Sequence, residues 1–486
     1  MSDPRGVVFP LDPTSGRRST TATGRAVVAD ALRGVDPVGA ASAERETNWR
    51  QGYLPHFRRL VEAGVAVPGA AQAIATSGLD SLHARMRWAT DEGDRPLDTA
   101  VAADESVTPL GSETVRGAGT PDRTLSVPYA GERLSGDALR RRLDRWVEAG
   151  TVEPTCAEAV GLVIDNPDWL DLSDRTVVVL GAAAEMGPLR SLLRWGATVA
   201  AVDLPRPDLW TRLLGDTRGA AGRVLVPATP GSSDLAQRAG VDLIHDLPTA
   251  TGWVCGLPGS LVIGNYVYAD GATNVRVSTA VDALTETVRL ARPDTAMSFL
   301  ATPTDVFAVP GDAVEASVRS YAERRTSKVL RGPLRTLSGG RLLRRNYLPG
   351  EDPGINDSVV LQQGPNYLLA KRLQRWRATS ARARGATVSF KIAPPTRTRS
   401  VVKNRALAAA YAGAHRFGVE VFDPGTANTL MAALLVHDLA LGSPPQEHPW
   451  QDEAYAAAHG GLWRAAYDPR SALGLAALLG AASARP

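Results

Sequence analysis

Apolar and polar positions divide the chain into stretches of different rhythm. Residues 1–45 show little periodicity. Ser, Thr, Gly, Arg and Pro dominate there, and residues 14–25 read as part of a flexible N-terminal tail. Residues 46–172 read as a mainly helical region. Trp49, Tyr53, Phe57, Leu60 and Val61 recur at helical spacing, the rhythm continues through 70–90, and it returns after Leu134, where Ser135 is placed to cap a helix. Trp49 and Trp146 are expected in the core. Between these helices, residues 92–124 are polar and contain Gly and Pro, which predicts an exposed connection.

A different pattern begins at Thr176. The run Thr-Val-Val-Val-Leu is continuously apolar, as a strand covered on both faces must be. Gly181 to Gly187 then forms a small-residue turn, an amphipathic segment follows, and a second apolar run ends in Asp203. Further strands are predicted at 223–227, 260–265, 295–301 and 386–392. Helices are predicted at 274–290, 367–383, 403–416 and 427–441. The alternation predicts an α/β protein with a doubly wound parallel sheet over 173–442. The rhythm breaks in an insertion at 310–365. Residues 443–486, with Trp450 and Trp463, read as a packed helical extension.

Composition narrows the function classes. A chain of 486 residues suffices for about two or three domains. Fifty-four basic against 51 acidic residues leave a net charge of +3, too balanced to point to nucleic acid. Two cysteines, Cys156 and Cys255, make neither a disulfide framework nor a metal-ligand cluster, so no metal is expected. The start lacks an apolar leader core, and the apolar run at 472–482 is too short to span a bilayer. These features predict a cytoplasmic protein.

The Gly181 turn is the first candidate for chemistry. Such a turn lets the backbone approach a pyrophosphate and aims the following helix at it. Asp203, 22 residues past Gly181, stands where a carboxylate accepts hydrogen bonds from a ribose diol. A second candidate is the insertion. Nine basic residues lie between Arg319 and Arg345, with Glu323 the only acidic one. They form either a solvated face or a lid that recruits an anionic substrate, such as a phosphorylated, coenzyme A-linked or carrier-linked carbonyl compound.

Tyr367-x-x-x-Lys371 opens a helix after the fifth strand of this glycine-turn pattern. In that order the chain resembles the short-chain dehydrogenase/reductase family. The resemblance implies a Rossmann fold and carbonyl/alcohol hydride transfer with NAD(P). It implies that Tyr367 is the acid/base, and that Lys371 binds the nicotinamide ribose and lowers the tyrosine pKa. It also implies that Gly181, Ala182, Glu185, Met186 and Gly187 line the cofactor turn, with Glu185 in place of a glycine and Leu180 in place of a threonine. Asn265 falls in the turn after the fourth strand, and Asn274 falls where the family anchors a relay water. Thr302, or Ser298, would hold the substrate oxygen, and Thr398 would meet the carboxamide. Two departures stand out: Tyr367 lies 65 residues past Thr302, and Glu185 brings negative charge to the pyrophosphate. Asp203 favours NAD over NADP, with Arg206 the residue that would receive a 2′-phosphate. The rival readings are an S-adenosylmethionine-dependent methyltransferase, with Asp203 on the adenosine ribose, and a non-catalytic binding module. The expected partners are a small-molecule substrate, anionic if the insertion is a lid, and further copies of the chain in a homo-oligomer.

Overall fold

The computed structural model describes residues 5–12, 15–67, 69–101, 110–323, 325–442, 444 and 446–482, with the backbone alone at 325–330 and 361. Seven strands build the central sheet: β1 (Gly111–Arg116), β2 (Arg175–Leu180), β3 (Thr198–Val202), β4 (Arg223–Ala228), β5 (Ser260–Asn265), β6 (Ala296–Ala301) and β7 (Val388–Ile392). Their spatial order is β7-β6-β5-β2-β3-β4-β1. All neighbours are parallel except β1, which runs antiparallel along β4. The chain builds outward from β2 to β4, then returns to β5 on the other side of β2. The direction of winding therefore reverses between β2 and β5. Their register pairs Leu180 with Asn265, so the two strands end flush.

Alternation within the strands explains the layering. Val178 and Leu180 face one core, Val177 and Val179 the other. The first face is covered by helices Leu247–Cys255, Gly271–Ala291 and Gly364–Ala383. Thr20–Arg33, Trp49–Ala66 and Ala70–Arg85 stack outside them. The second face is covered by Leu189–Arg194, Pro207–Arg218 and Pro424–Leu441, together with Gly136–Glu148 and Pro154–Asp165. Trp49 and Trp146 are both buried.

Three expectations need correction. The supposed flexible tail is folded: Thr20–Arg33 and Pro37–Arg45 are helices, and Ser19 caps the first by accepting the Ala22 N–H at 3.1 Å. The polar stretch 92–124 contributes β1, an edge strand whose charged residues suit a half-solvated sheet margin. The helices of the N-terminal region pack over both faces of the sheet. The insertion is not a bare lid: it holds helices Gly311–Glu323 and Arg325–Leu337, and a strand Gly354–Asp357 that pairs with Val306–Val309. Ser135 precedes helix Gly136–Glu148 as expected, though its side chain makes no capping hydrogen bond. The C-terminal extension packs, with Trp463 fully buried.

Candidate functional site

Two groups of residues gather at the C-terminal ends of the parallel strands. The first surrounds the turn after β2. Gly181 has φ +83°, and a Cβ there would lie 3.0 Å from the backbone of Tyr266 and Val267 after β5. Only glycine lets the two strand ends approach this closely. The Gly181 and Ala182 amides both donate to the Val202 carbonyl, at 2.9 and 3.1 Å. The Ala183 N–H donates to Asp203 Oδ2 and the Leu204 N–H to Oδ1, each at 2.8 Å. Burial raises the Asp203 pKa, and these two amides oppose the rise.

The turn differs from the expected phosphate cradle. The Ala184 and Gly187 amides close turns onto the Gly181 and Ala184 carbonyls, so they too are engaged. The next helix has only six residues and begins at Leu189, which leaves little helix dipole to aim at an anion. Glu185 is occupied as well. Its carboxylate accepts the Arg399 backbone N–H at 2.8 Å and the Arg399 Nε–H at 2.7 Å, and its carbonyl accepts Asn428 Nδ2 at 3.0 Å. Glu185 thus ties the turn to the short helix Arg399–Lys403. Thr398 precedes that helix, half-buried, with its hydroxyl 2.9 Å from that of Ser400. Met186 is partly buried against the second-face core.

The second group centres on helix Gly364–Ala383. Tyr367, Lys371 and Gln374 are four and three residues apart and share one helix face. The Thr302 side chain lies close enough to the Tyr367 phenol to lower its pKa. Thr302 Oγ1 is 2.9 Å from Thr304 Oγ1, which accepts Gln363 Nε2 at 3.0 Å. Lys371 Nζ lies 5.9 Å from the Tyr367 ring centre, 3.5 Å from the Leu300 carbonyl and 3.4 Å from Gln374 Oε1. Gln374 Nε2 reaches Asn265 Oδ1 at 3.4 Å. Polar contacts therefore link Asn265, Gln374 and Lys371 on one side and Thr302, Thr304 and Gln363 on the other, with Tyr367 near both. The Tyr268 ring stands against Tyr367, with centroids 6.2 Å apart.

Electrostatics revise one inferred role. Burial pushes the Tyr367 phenol well above its ordinary pKa, against a smaller lowering by Thr302. The net direction is upward, contrary to the lowering expected from Lys371, so at neutral pH the phenol holds its proton. Burial lowers Lys371 to about 8, with Asp305 opposing.

Thus Tyr367, Lys371, Thr302 and Asn265 come together, while three expected participants are engaged elsewhere. Asn274 is the fourth residue of helix Gly271–Ala291, and its Oδ1 accepts the Ala269 N–H at 3.1 Å, fixing the preceding loop. Ser298 lies within the sheet, itself buried and 2.8 Å from the buried Tyr266 hydroxyl. Thr398 sits on the Glu185 side. Gln374, Gln363, Thr304 and Tyr268 were not singled out from the sequence. For Gln374 the helical spacing from Tyr367 and Lys371 was the readable signal.

Among the described residues no group of His, Cys, Asp or Glu could hold a metal ion, and no helix is long and apolar enough to cross a membrane. Comparison with protein-family models, curated proteins and solved structures finds no match to this chain.

Proposed function

We propose that the chain is an NAD(P)-dependent oxidoreductase interconverting a carbonyl and an alcohol on a Rossmann-like, doubly wound sheet, similar to the short-chain dehydrogenase/reductases. The observation that carries this reading is the meeting of Tyr367, Thr302 and Lys371 beside the point where strand order reverses. Open α/β sheets take their ligands at that point. Gly181 lets the ends of β2 and β5 meet at that point, and Asp203 offers a carboxylate to a ribose diol. NAD is favoured over NADP, since that carboxylate repels a 2′-phosphate. Arg206 is engaged with Asp208 at 2.9 Å. At the pyrophosphate end the fit requires the Glu185–Arg399 pair to open.

When bound, the dinucleotide supplies the hydride. Thr302 orients the carbonyl oxygen, and Tyr367 donates its proton to it. Lys371 offsets the charge left on the phenolate, and Gln374 and Asn265 hold Lys371 in place.

Thermal shifts of the full chain with NADH, NADPH and S-adenosylmethionine test the reading. NADH should raise the melting temperature most. With an identified substrate, Tyr367→Phe should lower kcat by about 100-fold or more while leaving the NADH shift intact. A shift with S-adenosylmethionine alone would reassign the protein as a methyltransferase. Absence of any shift at millimolar nucleotide would leave a binding module, the reading that the engaged turn amides favour.

A further inference from the structure

Past Thr302 the protein carries two adjoining hollows. The first is a cavity of about 250 Å³ lined in part by Arg341, Arg344, Arg470 and Ser471. Arg344 holds Asp468 at 2.7 Å and Arg470 holds Asp357 at 2.8 Å. No carboxylate among the described residues pairs with Arg341, so the cavity keeps an excess of positive charge. The second hollow is narrower, about 80 Å³, with an apolar wall that includes Ala410, Phe417, Val419 and Val421. Val359, Arg470 and Leu473 line both, so the two hollows abut. Thr304 and Tyr411 also line the second hollow. The Thr304 hydroxyl is 2.9 Å from that of Thr302, and Tyr411 lies close enough to Tyr367 to influence its ionisation.

We propose that the protein binds a substrate with three parts in line. A carbonyl or hydroxyl end lies at Tyr367 and Thr302, an apolar stem lies along the second hollow, and a terminal oxyanion, carboxylate or phosphate, lies at Arg341, Arg344 and Arg470. The proposal rests on the reading of Tyr367 as the proton donor. An apolar wall favours a stem that leaves water. Guanidinium forks match the geometry of carboxylate and phosphate oxygens. Together the hollows have the size of small ligand cavities, about 300 Å³. The arginines come from two parts of the chain: Arg341 and Arg344 from the insertion, Arg470 from the start of helix Pro469–Gly480. Other insertion arginines are engaged elsewhere. Arg331 and Arg345 stack on the Tyr321 ring at 4.0 and 4.7 Å, and Arg335 donates to its hydroxyl at 3.1 Å. Arg324, and the side chains of Arg325 and Lys328, lie outside the described residues.

Isothermal titration of the full chain with decanoate, decyl phosphate and decan-1-ol, without nucleotide, tests the proposal. At least one anion should bind saturably and roughly tenfold more tightly than the alcohol, and the tighter anion identifies the head group. Arg341→Gln, at an exposed position that leaves packing alone, should weaken that anion about fivefold and leave the alcohol unchanged. Tyr367→Phe should leave the decanoate and decyl phosphate affinities within about twofold, since neither carries an oxygen at the Tyr367 end. The proposal is overturned by equal affinity for anions and alcohol, by unchanged anion affinity in Arg341→Gln, or by no saturable binding. Because nucleotide is absent, these outcomes are separate from success or failure of the NADH experiments.

Discussion

Arg372 Nη2 lies 2.9 Å from Asp305 Oδ1, with both side chains buried. Arg375 holds the other oxygen of Asp305 at 3.1 Å, and both arginines also donate to the Val306 carbonyl. Two residues of the Tyr367 helix thereby grip the loop after β6, the loop that carries Thr302 and Thr304. The Tyr367–Thr302 contact depends on this grip. Asp305→Asn leaves two buried guanidinium groups short of a counter-charge, Arg375 keeping Glu453. It should cost about 3–5 kcal/mol in urea unfolding.

Glu185 and Arg399 join segments 214 residues apart. The pair is partly exposed, so Glu185→Gln should change stability by less than about 1 kcal/mol. If the pair competes with a pyrophosphate, the same substitution should tighten NADH binding by roughly tenfold in a calorimetric titration. Weaker NADH binding would mean that Glu185 shapes the cofactor site instead of blocking it.

Lys371 gives a pH signature. Burial lowers it from 10.5 to about 8. Between those values the unfolded chain holds a proton that the folded chain has lost, so this group's contribution to stability rises with pH across that window. Below about pH 8 the cost of burying the ammonium is present in full. Relative to Lys371→Met, the native protein should therefore gain stability from pH 8 to 10 in parallel urea titrations. Turnover, if it needs the ammonium, should fall as pH passes 8.

Gly181→Ala places a methyl group against the Tyr266 and Val267 backbone at φ +83°. The left-handed conformation alone costs about 1–2 kcal/mol, and the close approach adds to it. Chemical denaturation should show a loss of at least that size. A neutral substitution would mean that the turn relaxes.

The sheet was legible where its strands are covered on both faces. Val177, Val178 and Val179 leave no polar alternation, and β5 falls at the residues its pattern marked. The Gly111–Arg116 strand was not legible, because its Ser, Glu and Arg serve a solvated margin and resemble a loop. Helix Thr20–Arg33 hid for a related reason: only Val27, Val28 and Leu32 supply large buried side chains among alanine, glycine and threonine. At the candidate site, Tyr367, Lys371 and Gln374 share one helix and one spacing. The Glu185–Arg399 pair and the Arg341–Arg470 cavity depend on chain segments brought together only by folding, so no local pattern announces them.

Helices Thr20–Arg33 and Ala70–Arg85 pack on helix Gly364–Ala383. During synthesis they leave the ribosome long before that helix exists. Their surface around Gly24 and Gly78, where Leu369 and Trp376 come to lie, has no native partner until late in translation. Closing so long a loop delays the contact on the ribosome and in refolding alike. A chain that stops before residue 364 would carry this surface uncovered, an invitation to chaperones and to aggregation.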